Sequence, residues 1–419
     1  MSVERRMFMK WAAAAPVLGA IVWQEMSRKL LGAPREAANV YARIGVRPLI
    51  NARGTWTYLS GSLMLPEVRQ AMDAASRQFV DLFELQAAVG KRLAALSGAE
   101  SGMITSGSAG AMAAATAACI AGTDPRHIWQ LPDTTGLKNE VVMLGGRIAF
   151  DSAIRLAGAK LVMANSLTEL PSAINNQTAM VYTTWRDDNL QKALAITKRE
   201  KVPLLLDDAA GIPPFENLRR YASMGVDLYC FSGGKGMRGP QCAGVLLGRK
   251  DLIDAALKNY NPNEGAICRA MKVGKEEIIG MLTAIETWEK VDVSALNREW
   301  NSKVQRIAKL VETVPGVTTR IYVPEEGNSY PTLQVNWDEK AFELTVAQCD
   351  AQLRAGEPRI EVLTNFNPSL VSVVEEGIGG KHEAPKDQLE IVSMTLQDGE
   401  DLIIGKRLRE ILSAAKAQK

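Results

Sequence analysis

Short aliphatic runs alternate with amphipathic stretches along the middle of the chain. The runs are "EVVML" (140–144), "AKLVMA" (159–164), "AMVYTT" (179–184), "VPLLLDD" (202–208), "VDLYCFS" (226–232) and "AGVLLG" (243–248). Each is apolar at successive positions, not at alternate ones, so each predicts a strand covered on both faces, as in a mostly parallel sheet. Between them, "DNLQKALAITKREK" (188–201) and "FENLRRYASMG" (215–225) carry apolar residues at helical spacing, and Gly225 closes the second. The alanine-rich "AGAMAAATAA" (109–118) is a good helix former, and no internal repeat is visible. Strands joined through helices in this way predict an α/β architecture.

The rhythm changes towards the C-terminus. "KEEIIGMLTAIETWEKV" (275–291) and "ALNREWNSKVQRIAKLVETV" (295–314) predict long helices. "TLQVNWD" (332–338), "RIEVL" (359–363) and "QLEIVSM" (388–394) then predict strands, before a closing helix over 399–418. Mixed strands and helices of this kind predict a smaller α+β domain, with the boundary near residues 270–295.

Composition narrows the partners. A chain of 419 residues with 47% hydrophobic and 23% charged content has the material for a large core. Its formal charge of +2, from 49 basic and 47 acidic residues, gives no surplus for binding a phosphate backbone, so nucleic acid is not an expected partner. The five cysteines include no CxxC pair, and His127 and His382 form no cluster, so no metal site is expected. Cys230 and Cys242 flank one glycine-rich loop, and a disulfide between them is not expected.

The first 35 residues differ from the rest. Arg5 and Arg6, then Phe8 and Lys10, precede an apolar run over 11–23 that is too short to span a bilayer at about 1.5 Å per residue. The order Arg-Arg-x-Phe-x-Lys resembles a twin-arginine export signal, and no clean A-x-A cleavage site follows it. The expectation is export through the twin-arginine machinery to the periplasm, or tethering on the outer face of the inner membrane. Without use of the signal the chain stays cytoplasmic.

Open α/β sheets bind ligands beyond the carboxyl ends of their strands, and three stretches fall at such ends. In "GMITSGSAGAMAAATAACIAG" (102–122) a short strand leads into a helix, so Ser106, Gly107, Ser108, Ala109 and Gly110 present amides and hydroxyls at a helix N-terminus. An anion cradle and an ordinary serine N-cap are equal readings of that stretch. In "LLLDDAAGIPP" (204–214) two aspartates end a buried run, which is costly unless each has a partner or a task. Asp207 is the functional candidate, with the small Ala209 and Ala210 leaving room beside it, and Asp208 is a candidate cap for the following loop. In "FSGGKGMRGPQ" (231–241) Lys235 lies between Gly234 and Gly236, about one βαβ unit after Asp207, with Ser232 three residues earlier. Gly233, Gly234 and Gly236 are expected to keep the backbone bare for a planar ligand. A nucleotide P-loop fails here, because Tyr229 and Gly236 stand where the pattern needs Gly and Ser/Thr.

Anion cradle, strand-end carboxylate and a lone lysine form the set that pyridoxal 5'-phosphate requires for its phosphate, ring nitrogen and aldehyde. With "YARIGVRPLINARGTWTYLSGSLMLPEVRQAM", "FVDLFELQAAVGKRLAALSGAE", "TSGSAG", "LLLDDAAGIPP", "FSGGKGMRGPQ" and "TLQDGEDLIIGKRLREIL", the chain from Tyr41 onward resembles one group of enzymes. These are the selenocysteine-synthase-like fold-type-I pyridoxal-phosphate enzymes, a group that includes the L-seryl-tRNA(Sec) selenium transferase and D-glucosaminate-6-phosphate ammonia-lyase types. The resemblance implies an aspartate-aminotransferase-like fold with a mostly parallel large-domain sheet and a smaller α+β C-terminal domain. The expected division is 1–35 signal or anchor and linker, 36–285 large cofactor-binding domain with an N-terminal arm, and 286–419 small domain. It also implies that Lys235 forms the aldimine with the cofactor and that Asp207 pairs with the ring nitrogen beside Ala209. Ser106, Gly107, Ser108 and Ser232 would hold the phosphate, and Arg238 and Gln241 would line the site. Arg359 is a candidate anchor for a substrate carboxylate, or a surface ion pair. Arg53, where a small residue is common, is a candidate substrate contact near the mouth, or a surface charge.

One stretch departs from the family pattern. "GGRIAFDSAIR" (145–155) places Gly146, Phe150 and Ser152 where His, Tyr and His are expected, and these positions help to set reaction choice. The chemistry implied is proton abstraction from the α-carbon of an amino acid or amino-sugar acid by Lys235, with β-elimination and ammonia release favoured. Transamination and racemisation are the alternatives, and a catalytically degenerate cofactor-binding protein with a structural or sensing role is the alternative of another class. Selenocysteine synthesis itself fits poorly, since a transfer-RNA partner favours a basic surface and an extra N-terminal domain. A homodimer or larger homo-oligomer is implied by the resemblance.

Overall fold

The computed structural model describes residues 40–324, 329–365 and 388–417. The export-like segment, the linker after it and His382 lie outside the described residues. The chain divides into residues 1–49 and 50–419. The described part of the first carries one 3-10 turn, Ala42–Ile44, closed by Gly45 at φ +73°. Among the described residues no helix is long and apolar enough to cross a membrane.

Twelve strands are described, beginning with β1 (Leu49–Ala52) and β2 (Ser101–Thr105). They continue through β3 (Glu140–Leu144), β4 (Lys160–Ala164), β5 (Thr178–Thr183), β6 (Leu204–Asp207), β7 (Leu228–Ser232) and β8 (Gly244–Gly248). The last are β9 (Thr318–Tyr322), β10 (Thr332–Asn336), β11 (Arg359–Val362) and β12 (Leu389–Val392). Seven form the main sheet in the order β2-β8-β7-β6-β5-β3-β4. Only β8 runs against its neighbours, so the sheet is mostly parallel, and the carboxyl ends of β2, β6 and β7 share one edge. β5, β6 and β8 are buried at every position, whereas the edge strand β4 is partly exposed, with only Ala164 buried. Burial on both faces explains why the inner strands show continuous apolar runs and no alternation.

The helices follow their caps. Asp81 accepts from the amides of Phe83 and Glu84 at 2.7 and 3.1 Å to start Leu82–Ser97, and Gly98 at φ +75° ends it. The helix Gly107–Ala121 is buried almost all round, which suits a run of alanines pressed against the sheet. Its first turn follows directly from β2 at the edge shared with β6 and β7.

A second core lies beyond this sheet. Val304, Ile307 and Val311 of the helix Val293–Val311 pack with Leu333 and Val335 of β10, Leu389 and Ile391 of β12, and Ile404, Leu408 and Leu412 of the helix Glu400–Ala417. β12, β10 and β9 form an antiparallel sheet in that order. β1 and β11 form a separate pair, and through it Ile50 and Ala52 join this second core.

Candidate active site

The two strand-end aspartates separate because side chains alternate along a strand. Asp207 shares a sheet face with Cys230, its register partner on β7. Its Oδ2 accepts the hydroxyl of Tyr182 at 2.9 Å and its Oδ1 accepts the amide of Ala209 at 3.1 Å, with the Cys230 thiol at 3.7 Å. Asp208 turns to the opposite side, where Arg186 donates at 2.9 Å and the Tyr221 hydroxyl at 2.7 Å. Asp208 is thus the buried half of an ion pair with the partly exposed Arg186 and not the loop cap expected from the sequence. Burial raises its carboxyl above the ordinary range, against the pull of Arg186.

Lys235 follows β7 on a tight loop held from the N-terminal side. The Ser62 hydroxyl donates to the Lys235 carbonyl at 2.7 Å, the Ser62 amide to Gly234 at 2.9 Å, and the Leu65 amide to Arg238 at 3.0 Å. The glycines beside Lys235 also serve this packing. A Cβ on Gly236 would lie 2.0 Å from the Tyr330 hydroxyl and 2.3 Å from the Ile212 carbonyl. On Gly233 it would meet the Pro240 carbonyl at 2.6 Å, and on Gly234 the backbone of Gln241 at 2.9 Å. Burial lowers the Lys235 ammonium below the ordinary lysine value, opposed by the charges of Asp207 and then Asp208. The ring centroid of Phe150 lies 6.0 Å from the Lys235 Nζ.

At the start of Gly107–Ala121, Ser106 makes no side-chain cap. Its amide instead donates to the Tyr260 hydroxyl at 2.5 Å. The amides of Gly107, Ser108 and Ala109 have no intrahelical carbonyl to meet. Gly107 stands at φ +66° with no atom within 4 Å of where a Cβ would be, so the space above this turn is open. Ser106, Ser108 and Ser232 are partly exposed there. The serine N-cap reading is therefore not the one realised.

The remaining candidates are placed differently. Arg53 is 1% exposed, so it is not a surface charge. It donates to the carbonyls of Val362 and Thr364 at 3.0 and 3.2 Å and lies 5.0 Å from the Trp56 ring. Arg359 pairs with the buried Glu361. Arg238, at φ +51°, donates to Leu63 at 3.0 Å, and the exposed Gln241 to Thr57 at 3.1 Å, so both brace the 57–65 segment against the lysine loop. In the 145–155 stretch Phe150 and Ser152 are exposed, and the buried Asp151 is gripped by Arg147 and Arg155.

Tyr182, Tyr221, Tyr260 and Arg186 complete the surroundings of the site, and sequence reasoning missed all four. Position was a signal for two of them: Tyr182 and Arg186 stand near or just past the end of β5, on the same edge as Asp207.

Residues 162–365 match the family model described as Aminotransferase class-V. The chain is 29% identical over 394 residues to the D-glucosaminate-6-phosphate ammonia lyase of Salmonella typhimurium (strain 14028s / SGSC 2262), covering 90% of this chain and 99% of that protein. A solved structure of D-glucosaminate-6-phosphate ammonia-lyase matches with a TM-score of 0.74 at 28% identity, over 90% of this chain and 99% of that one. The 5'-C-glycyluridine monooxygenase-decarboxylase of a Streptomyces species is 32% identical over 392 residues, 89% of this chain and 92% of that protein. The L-seryl-tRNA(Sec) selenium transferase of Moorella thermoacetica is 23% identical over 337 residues, 68% of each chain. Fold, strand-end aspartate and lysine loop define the class-V aminotransferase-like architecture of fold type I. Within it, the chain belongs to the selenocysteine-synthase-like family of pyridoxal-phosphate-dependent enzymes.

Proposed function

We propose that this protein binds pyridoxal 5'-phosphate and releases ammonia from an amino acid or amino-sugar acid by β-elimination. One observation carries the reading. Lys235 and Asp207 stand at the carboxyl ends of the neighbouring parallel strands β7 and β6, on the edge where the open first turn at Gly107 begins. The residues fit the cofactor: an anion-binding turn over Ser106, Gly107 and Ser108, a carboxylate with acceptor capacity left, and an amine at Lys235.

When bound, the cofactor supplies an electron sink for charge that develops at the substrate α-carbon. The protein's own groups do the rest. The first-turn amides, the hydroxyls of Ser106 and Ser108, and that of Ser232 hold the phosphate. Asp207 keeps a proton on the ring nitrogen by offering a negative acceptor. Lys235, its ammonium weakened by burial, takes the proton from the α-carbon and can return it to the departing group on the β-carbon. Net loss of HX across the two carbons and hydrolysis then give a keto acid and ammonia. The likeness to the ammonia lyase supports elimination. A second reading, decarboxylation, is supported by the 32% identity to the Streptomyces monooxygenase-decarboxylase.

The test compares wild type with Lys235→Ala after cofactor loading. Wild type should gain a visible absorbance band, and borohydride should fix the cofactor on the Lys235 peptide. Lys235→Ala should show neither. A screen of amino acids and amino-sugar acids should then yield ammonia and a keto acid, whereas carbon dioxide in place of ammonia would carry the second reading. Absence of the band from wild type overturns the proposal.

A homo-oligomer belongs to the same proposal. Phe79 and Val80 just before the helix Leu82–Ser97, and Phe83 in its first turn, are exposed, and exposed apolar residues so close in the chain suit contact with a second copy. Gel filtration of Phe79→Asp should show a smaller species than wild type. Export through the twin-arginine route rests on residues 1–35, and replacing Arg5 and Arg6 by Lys should retain the protein in the cytoplasm on cell fractionation.

A further inference from the structure

We propose that Tyr182 is a positioning residue for Asp207, acting through its hydroxyl to fix the carboxylate that faces the ring nitrogen. The inference rests on the cofactor reading above. Its basis is the alignment of three parallel strands. Tyr182 of β5 is the register partner of Leu205 on β6. Asp207 lies two residues beyond Leu205 and so on the same face. From the other side β7 places Cys230 directly beside Asp207. Asp207 is therefore bracketed on its own face by a phenol and a thiol.

The two carboxylate oxygens are engaged differently. Oδ1 meets the Ala209 amide and the Cys230 thiol at 3.1 and 3.7 Å, while Oδ2 meets the Tyr182 hydroxyl at 2.9 Å. Tyr182 is 1% exposed, and burial together with the neighbouring Asp207 charge pushes its phenol well above the ordinary value. It therefore stays a donor throughout the working pH range. A donor on one oxygen and an amide on the other define the carboxylate plane. Oδ1 is taken up by the amide and the thiol, and one lone pair on Oδ2 remains for an incoming N–H. Tyr182 thus keeps the Asp207 carboxylate aimed before any ligand arrives, without touching the ligand itself.

The test is a binding cycle with two probes, pyridoxal 5'-phosphate and its deaza analogue, in which carbon replaces the ring nitrogen. Tyr182→Phe should weaken binding of the natural cofactor about tenfold, the scale of one hydrogen bond to a charged group. Binding of the deaza analogue should change less than about twofold, because Asp207 then has no N–H to meet. The variant should also lower the long-wavelength absorbance of the loaded protein. Equal losses for both probes mean a packing role and overturn the inference, as does no loss for either. If Tyr182→Phe does not fold, difluorotyrosine at position 182 keeps the shape and strengthens the donor. It should tighten the natural cofactor alone, and equal effects on both probes again overturn the inference. Failure of wild type to bind the natural cofactor refutes the functional reading instead, so the two failures are distinguishable.

Discussion

Asp207 and Asp208 are consecutive in the chain yet serve opposite sides of the sheet, the first bound to Tyr182 and the second to Arg186 and Tyr221. Their substitutions should therefore separate function from stability. Asp207→Asn keeps an acceptor for Tyr182 but loses the charge that holds a proton on the ring nitrogen, so fold survives and turnover falls at least a hundredfold. Asp208→Asn leaves Arg186 and its buried surroundings without a counter-charge. Its cost is about 1–3 kcal/mol, below that of a fully buried pair because Arg186 keeps some contact with water. Urea midpoints and cofactor titrations of both variants check the division. Equal loss of stability in the two would contradict it.

Two glycines of the site should fail for different reasons. Gly236→Ala drives a methyl into the Tyr330 hydroxyl and the Ile212 carbonyl, and backbone cannot yield as a side chain does. Destabilisation of about 1–3 kcal/mol or more is expected, read as a lowered melting temperature even without cofactor. Gly107→Ala meets no neighbour and carries only the strain of φ +66°, about 1 kcal/mol. Its methyl instead enters the open space over the first-turn amides. The expected result is a near-normal melting temperature with cofactor affinity reduced at least tenfold.

How much of this was legible follows from where each signal resides. β5, β6 and β7 announce themselves because both faces are buried, so each run is apolar by itself. β9, "TTRIY", is half exposed and carries two threonines, and it becomes a strand through its pairing with β10. β1 pairs with β11, about three hundred residues later, which no local window contains. The site divides in the same way. Lys235 and Asp207 sit in short motifs whose chemistry is local, and both were read from them. Tyr182 reaches Asp207 across a strand alignment, and Tyr260 meets the Ser106 amide from 154 residues away. The glycines around Lys235 were visible, but the packing that also requires them was not. The atoms they avoid, on Tyr330, Ile212 and Pro240, belong to other parts of the chain or to the far side of the loop.

The lowered Lys235 ammonium makes apo-protein stability depend on pH, with a sign that can be stated in advance. In the unfolded chain this amine titrates near the ordinary lysine value, about 10.4. In the folded chain burial brings it lower, opposed by Asp207 and Asp208. Between the two values the unfolded state holds the proton more tightly, so stability rises as pH rises through that window and is lost as pH falls. Below the folded value the full cost of burying the ammonium is present and no longer changes with pH. Lys235→Met removes the titrating group and keeps an unbranched side chain of similar length. The stability difference between the two proteins should therefore shrink in wild type's favour as pH rises from 7 to 10, when both are measured by urea unfolding without cofactor. Other titrating groups cancel in this difference. A difference constant across that range would mean that the buried amine has an ordinary pKa in the folded protein, and Lys235 would then lack the basicity shift that suits it to proton transfer near neutral pH.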